Sequence, residues 1–315
     1  MDDGRGRTHG LKFFAAVIAA TSLALSAQAA PAKKKKAPIA KKEPTPAQIP
    51  TPKPTPTPAI DVYNFTGELP IAAQGAYVID ALTGQSIYAK NGDTPFFPAS
   101  TTKILTALLV IENGDLEHLA VADGEDAKVG ESSLEMRPGD QFSRRELLYG
   151  LMLKSANDVA HLLARDNAGS VEAFADKMNR RASELGATNS HFVNPNGLHN
   201  PQHYTTPHDL ALIARAAMQQ PFFRAVVGTQ KHPWQNQYGA FQLTNHNKLL
   251  GKFPGCTGVK TGYTIPAQQV LVSSARWGTR EVISVVMHTD HPGIWEDSKL
   301  LLSYGFAHLP TAPGP

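Results

Sequence analysis

The chain has 315 residues and a formal charge of +3, enough length for one large domain or two small ones. Residues 1–58 hold ten Lys or Arg against three Asp or Glu, so the remaining chain is net acidic by four charges. A net-acidic body lacks the electrostatic footprint of a nucleic-acid-binding surface. A single cysteine, Cys256, excludes an internal disulfide, so the fold must hold by its core alone.

In chain order, the N-terminus reads as an export signal. Arg5, Arg7 and Lys12 precede the apolar run "FFAAVIAATSLALSA", and Ala27–Ala29 form a small-x-small cleavage site. Residues 1–29 are therefore expected to be a signal peptide. The alternative is a retained anchor, because the run is near the lower limit for a membrane span. Either way the body is expected outside the inner membrane, in the periplasm or cell envelope. No cysteine follows the run to carry a lipid. Residues 30–59 hold nine of the 24 prolines together with lysine and alanine. That composition favours an extended polyproline II linker. Its lysines offer peripheral contact with anionic lipid or wall polymer; the plainer reading is a solvated spacer.

Residues 60–310 read as one globular domain, followed by a tail at 311–315. "GAYVIDALTGQSIYAKNGD" has two β-rich runs around Thr83-Gly84, a hairpin signal. Helical patterns follow at 100–113, 143–165 and 171–185. "TTPHDLALIARAAMQ" opens a further helix, with Thr206 before Pro207. "QVLVSSARWGTREVISVVMH" reads as two strands around Gly278, and "GIWEDSKLLLSYGF" as a closing amphipathic helix. Strands at both ends with helices between them predict an α/β chain of the α+β type. Both termini would complete an antiparallel sheet, with a helical region inserted.

Three short motifs bear on chemistry. Ser100 and Lys103 stand three apart at a helix start. Such a serine is either a cap or a nucleophile whose proton a lysine of lowered pKa can take. Ser155-Ala156-Asn157 interrupts an apolar run 52 residues after Lys103, as a break between helical segments or as a hydroxyl and amide at a site. Lys260-Thr261-Gly262 precedes a β-rich run, as a turn with a surface lysine or as an edge strand whose glycine admits a substrate backbone. Singly each is weak. Together and in this order they match the set shared by penicillin-binding proteins and class A β-lactamases.

The blocks "PASTTKILTALL", "GESSLEMRPGDQFSRRELLYGLMLKSANDVA", "HFVNPNGLHNPQHYTTPHDLALIARAAM", "TNHNKLL" and "GVKTGYT" extend the likeness over roughly residues 66–306. On these the sequence resembles the low-molecular-mass penicillin-binding proteins, the serine D-alanyl-D-alanine carboxypeptidase family. The resemblance implies a β-lactamase/transpeptidase-like fold and an acyl-enzyme on Ser100. The expected substrates are peptidoglycan stem peptides, with β-lactams as covalent inhibitors. It also implies that Lys103 takes the serine proton and Ser155 passes a proton to the leaving amine. Asn157 would orient Lys103 and the substrate amide. Lys260 would keep Lys103 neutral by like-charge repulsion and attract the substrate carboxylate, with Thr261 as its hydrogen-bond partner and Gly262 giving access. The N–H groups of Ser100 and Tyr263 would form the oxyanion hole. No cofactor is implied.

Some features depart from the family pattern. The segment before the last helix, "HTDHPGIWEDSK", lacks the arginine that helps some members hold the carboxylate; His288, His291 or Trp295 are candidate substitutes. Ala267-Gln268 stands where Ala-Gly is frequent, and the chain stops soon after the last helix. An endopeptidase cutting D-alanyl cross-links is the alternative activity, and a non-catalytic wall-binding scaffold the second. No Glu-x-x-Leu-Asn block follows Asn157, which argues against efficient β-lactam hydrolysis. His199 and His203 are four apart, but Pro201 between them disfavours a helical ligand pair, and no metal site is expected.

Overall fold

The computed structural model describes residues 67–309, so the signal segment, the linker and the tail expected at 1–29, 30–59 and 311–315 lie outside the described residues. The first hairpin pairs Gly75–Asp80 (β1) with Ser86–Lys90 (β2). Its turn is tied by Asp80, whose carboxylate accepts from the Leu82 amide and the Thr83 hydroxyl. A 3₁₀ turn, Ala99–Thr102, then leads into Lys103–Glu112 (α1). Ile104 through Val110 are all buried, as expected of a helix that is apolar on every side.

Leu119–Val121 (β3) and Gln141–Ser143 (β4) make a small ribbon. The expected helix over 143–165 is present but broken. Arg144–Tyr149 (α2) continues into a π-helical turn at Gly150–Lys154, and Asn157–Ala168 (α3) starts afresh. Val171–Glu184 (α4), Pro207–Met218 (α5) and Pro221–Gly228 (α6) follow. Thr206 caps α5, accepting from the Asp209 amide at 3.1 Å, with Pro207 in the first turn. Lys231–Asn236 (β5) and Gly239–Thr244 (β6) form a hairpin that the sequence reading missed. Only Trp234 and Leu243 of it are buried, too few to leave an alternation signal.

Cys256–Thr264 (β7), Gln268–Trp277 (β8), Arg280–Thr289 (β9) and Gly293–His308 (α7) complete the described chain. The main sheet runs β2-β1-β9-β8-β7 and every pairing is antiparallel, so the N-terminal hairpin joins the C-terminal strands as expected. Successive side chains of a strand point to opposite faces. Val78, Leu271, Val282 and Val286 pack with Leu301, Leu302 and Phe306 of α7, while Ile79, Val270, Val272, Ile283 and Val285 face the core shared with α1 to α6. Strand β7 is one edge of this sheet, beside the 3₁₀ turn that carries Ser100.

Candidate active site

Ser100 does not cap a helix: neither the 3₁₀ turn nor α1 has a side-chain cap bond at its start. Its Oγ lies 3.0 Å from Lys103 Nζ. Lys103 is fully buried, and its Nζ also reaches Asn157 Oδ1 at 2.7 Å and the Asn196 carbonyl at 2.6 Å. Two of the three partners can only accept. In the neutral amine they take both N–H groups, which leaves the lone pair for the Ser100 hydroxyl. Burial holds the Lys103 amine well below the usual lysine range, and the charge of Lys260 adds to the depression; Glu131 and Asp158 oppose it. Of the two causes that can lower a lysine, burial and a neighbouring cation, burial is the larger here.

Ser155 and Asn157 reach the site because the chain breaks between the π-helical turn and α3. Ser155 is left-handed, at φ 64°, and its buried Oγ has no hydrogen-bond partner. Asn157 is fixed on both sides: its amide donates to Ser132 O at 2.7 Å and its Nδ2 to Gly130 O at 3.1 Å. Behind it the buried Asp158 carboxylate accepts from the amides of Leu134 and Met136 and the hydroxyl of Ser133. This holds the segment that bears Glu131 and Ser132 against the site.

On the other side stands β7, so the Lys-Thr-Gly motif lies on an edge strand rather than in a turn. Lys260 is 2% exposed and donates to the Thr261 carbonyl at 3.1 Å. Burial pushes its amine down to about 7. A Cβ on Gly262 would lie 2.9 Å from the Ser100 nitrogen, so the missing side chain is what lets the strand sit against the nucleophile's turn. Thr261, Gly262 and the half-exposed Tyr263 line a cleft of about 280 Å³ together with Ser100, Ser155 and Asn157. Lys260 supports this wall from behind.

Three contributors were not read from the sequence. The Asn196 carbonyl orients Lys103 from 93 positions away. Gly197 has φ 83°, and a Cβ there would fall 1.8 Å from Ala99 O. The turn formers of "NPNG" gave a local signal, but not which carbonyl points at which amine. Lys248 also lines the cleft, its ammonium 5.6 Å from the Trp295 ring centre. Of the residues considered as arginine substitutes, His291 and Trp295 line the cleft. His288 does not; it borders a separate hollow beside Phe96.

His199 and His203 have other partners. His203 Nδ1 accepts from the Val193 amide, which leaves Nε2–H for Thr102 Oγ1, and burial lowers the ring to about 3. His199 packs edge-on against Phe97. Cys256 is outside the cleft lining, and burial raises its thiol to about 11, so it is poorly suited to act as a nucleophile.

Residues 63–291 match the model of the peptidase family described as D-alanyl-D-alanine carboxypeptidase. The chain belongs to this family. Among its relatives, D-alanyl-D-alanine carboxypeptidase DacF of Bacillus subtilis is 36% identical over 72% of this chain and 60% of its own length. DacB2 of Mycobacterium tuberculosis is 34% identical over 78% of this chain and 87% of its own. Two solved structures superpose closely. The Streptomyces K15 DD-transpeptidase has a TM-score of 0.72 at 34% identity, covering 77% of this chain and all of that one. The D-alanyl-D-alanine carboxypeptidase of M. tuberculosis has a TM-score of 0.73 at 34% identity, covering 79% and 97%. The fold expected from the resemblance, a β-lactamase/transpeptidase-like sheet packed by helices, is the family fold.

Proposed function

We propose that this chain is a serine-type D-alanyl-D-alanine carboxypeptidase that removes the terminal D-alanine from peptidoglycan stem pentapeptides. The observation that carries the reading is the Lys103 amine, buried, depressed and held by two fixed acceptors with Ser100 Oγ 3.0 Å away. In the first half-reaction the Ser100 proton passes to Lys103 as Oγ bonds to the carbonyl carbon between the two D-alanines. The N–H groups of Ser100 and Tyr263 receive the oxyanion. The C–N bond then breaks, and the leaving amine takes its proton through Ser155 and Lys103. In the second half, water adds to the ester, releases the shortened peptide as its acid and returns the proton to Ser100. Asn157 orients Lys103 and the substrate amide, while Thr261 and Gly262 seat the leaving residue and Lys260, buried behind them, supports the wall.

A β-lactam acylates Ser100 by the same first half and departs slowly. The export signal read in residues 1–29 supports action in the periplasm or cell envelope. Cutting of D-alanyl cross-links is the second reading, favoured by the absence of arginine among the residues lining the cleft. The test is mass spectrometry of the protein incubated with a penicillin and with a mixture of monomeric pentapeptide and cross-linked dimer. A penicilloyl adduct on Ser100 with loss of one alanine from the monomer is expected, and Ser100→Ala loses both. Cleavage of the dimer alone selects the endopeptidase reading. No adduct and no cleavage selects the scaffold.

A further inference from the structure

The cleft is lined by one carboxylate, Glu131, and one lysine, Lys248, whose ammonium stands over Trp295. His246 also lines it, and burial lowers its ring to about 4, which leaves it neutral. Lys248 is the one lysine or arginine among the lining residues. Its backbone is pinned on both sides. Asn245 Nδ2 donates to the carbonyls of Val227 and Thr229, at 3.1 and 3.0 Å. Asn245 Oδ1 accepts from the Asn247 amide at 2.9 Å, and Asn247 Oδ1 from the Leu249 amide at 3.0 Å. Leu249 and Leu250 anchor the turn in the interior.

From this turn the Lys248 side chain extends over the Trp295 ring. Among the described residues the lysine ion pairs belong to Lys90, Lys128 and Lys299; Lys248 has none. A cation held in place at a cleft wall without a protein carboxylate suits an anion brought by the substrate. Lys260 is less well placed to meet it directly, being buried with its nitrogen turned to Thr261 O.

We propose that Lys248, steadied by Trp295, is the specificity residue that receives the free C-terminal carboxylate of the substrate. The inference rests on the carboxypeptidase reading. In it, the leaving D-alanine lies along β7 with its carboxylate towards the Lys248 turn, and the stem runs towards Glu131.

The experiment compares the full chain with Lys248→Ala, Lys248→Gln and Lys248→Arg on two probe pairs. One is an acyl-D-alanyl-D-alanine peptide and its C-terminal amide. The other is benzylpenicillin and its methyl ester, followed as the rate of adduct formation on Ser100. The Ala and Gln variants are expected to lose at least about tenfold in kcat/KM on the free acid, chiefly through KM. They should leave the amide and the ester nearly unchanged, and Arg should retain most of the wild-type preference. Equal losses on acid and amide, or no loss on either, overturn the role of Lys248 while the carboxypeptidase reading stands. If the wild-type chain cleaves neither peptide, the penicillin pair carries the same comparison. If it forms no adduct either, the carboxypeptidase reading falls, and this inference with it.

Discussion

Lys260 shows at the residue scale how the site trades stability for reactivity. Its amine sits near 7 in the folded chain against 10.5 for an unburied lysine. Between those two values the unfolded chain holds a proton that the folded chain gives up, so stability rises with pH across that window. At pH 7 this burial costs about 4 kcal/mol. Lys260→Met is therefore expected to raise the thermal midpoint at pH 7, with the gap to wild type closing as the pH approaches 10. The same variant should be acylated by penicillin at least about 100-fold more slowly, having lost a cation at the site. A lower midpoint at pH 7, by circular dichroism, would show that Lys260 is structural.

The three motifs pointed to Ser100, Lys103, Ser155, Asn157 and Lys260–Gly262, because side-chain chemistry is written in residue types; Tyr263, wanted for its backbone N–H, was named only through the family resemblance. The Asn196 carbonyl and the approach of Gly197 to Ala99 were not legible. Backbone groups carry no sequence signature, and their partner lies on a distant element.

At the scale of elements, the break before α3 is the decisive feature. A run from 143 to 165 with helical periodicity should be one helix on propensity, yet Ser155 is left-handed and α3 restarts at Asn157. Tertiary bonds override the local preference. The Asn157 amide goes to Ser132 O, and Asp158 gathers the donors of residues 133–136. The sequence showed the polar interruption, but the loop that satisfies it lies more than 20 positions upstream. Asp158→Ala leaves buried amides of Leu134 and Met136 without an acceptor, and is expected to cost about 2–4 kcal/mol. It should also free the wall bearing Glu131 and Ser132 and reduce penicillin acylation, with Asp158→Asn recovering part of both. Urea unfolding read beside acylation rates checks this. Normal acylation in a destabilised variant would show that Asp158 secures the fold without positioning the site.

Across the whole molecule, the sheet separates the site from much of the packing that supports it. Pairing of Gly75 with Met287 closes the two ends of the described chain on each other, and α7 seals the far face. That helix serves two purposes along its length. Its first turns place Trp295 in the cleft and Asp297 on the amides of Ala72 and Ala73. Ten residues further on, about 15 Å along the axis, Gly305 lies against β1 and β9. A Cβ there would come 2.5 Å from Val282 Cγ1 and 3.0 Å from Val78 Cγ1. Gly305→Leu must push the end of α7 off the sheet, an overpacking cost of about 1–3 kcal/mol, or a fall of about 3–10 °C in the midpoint for a domain of this size. The Asp297 bonds still anchor the first turns, and Ser100 and Lys103 stand on the opposite layer. Acylation at 20 °C should therefore stay within about twofold of wild type, because residues without shared partners couple weakly. A folded Gly305→Leu protein that reacts with penicillin much more slowly would mean that the sheet transmits the strain of α7 to the nucleophile's turn, and that the two layers act as one unit.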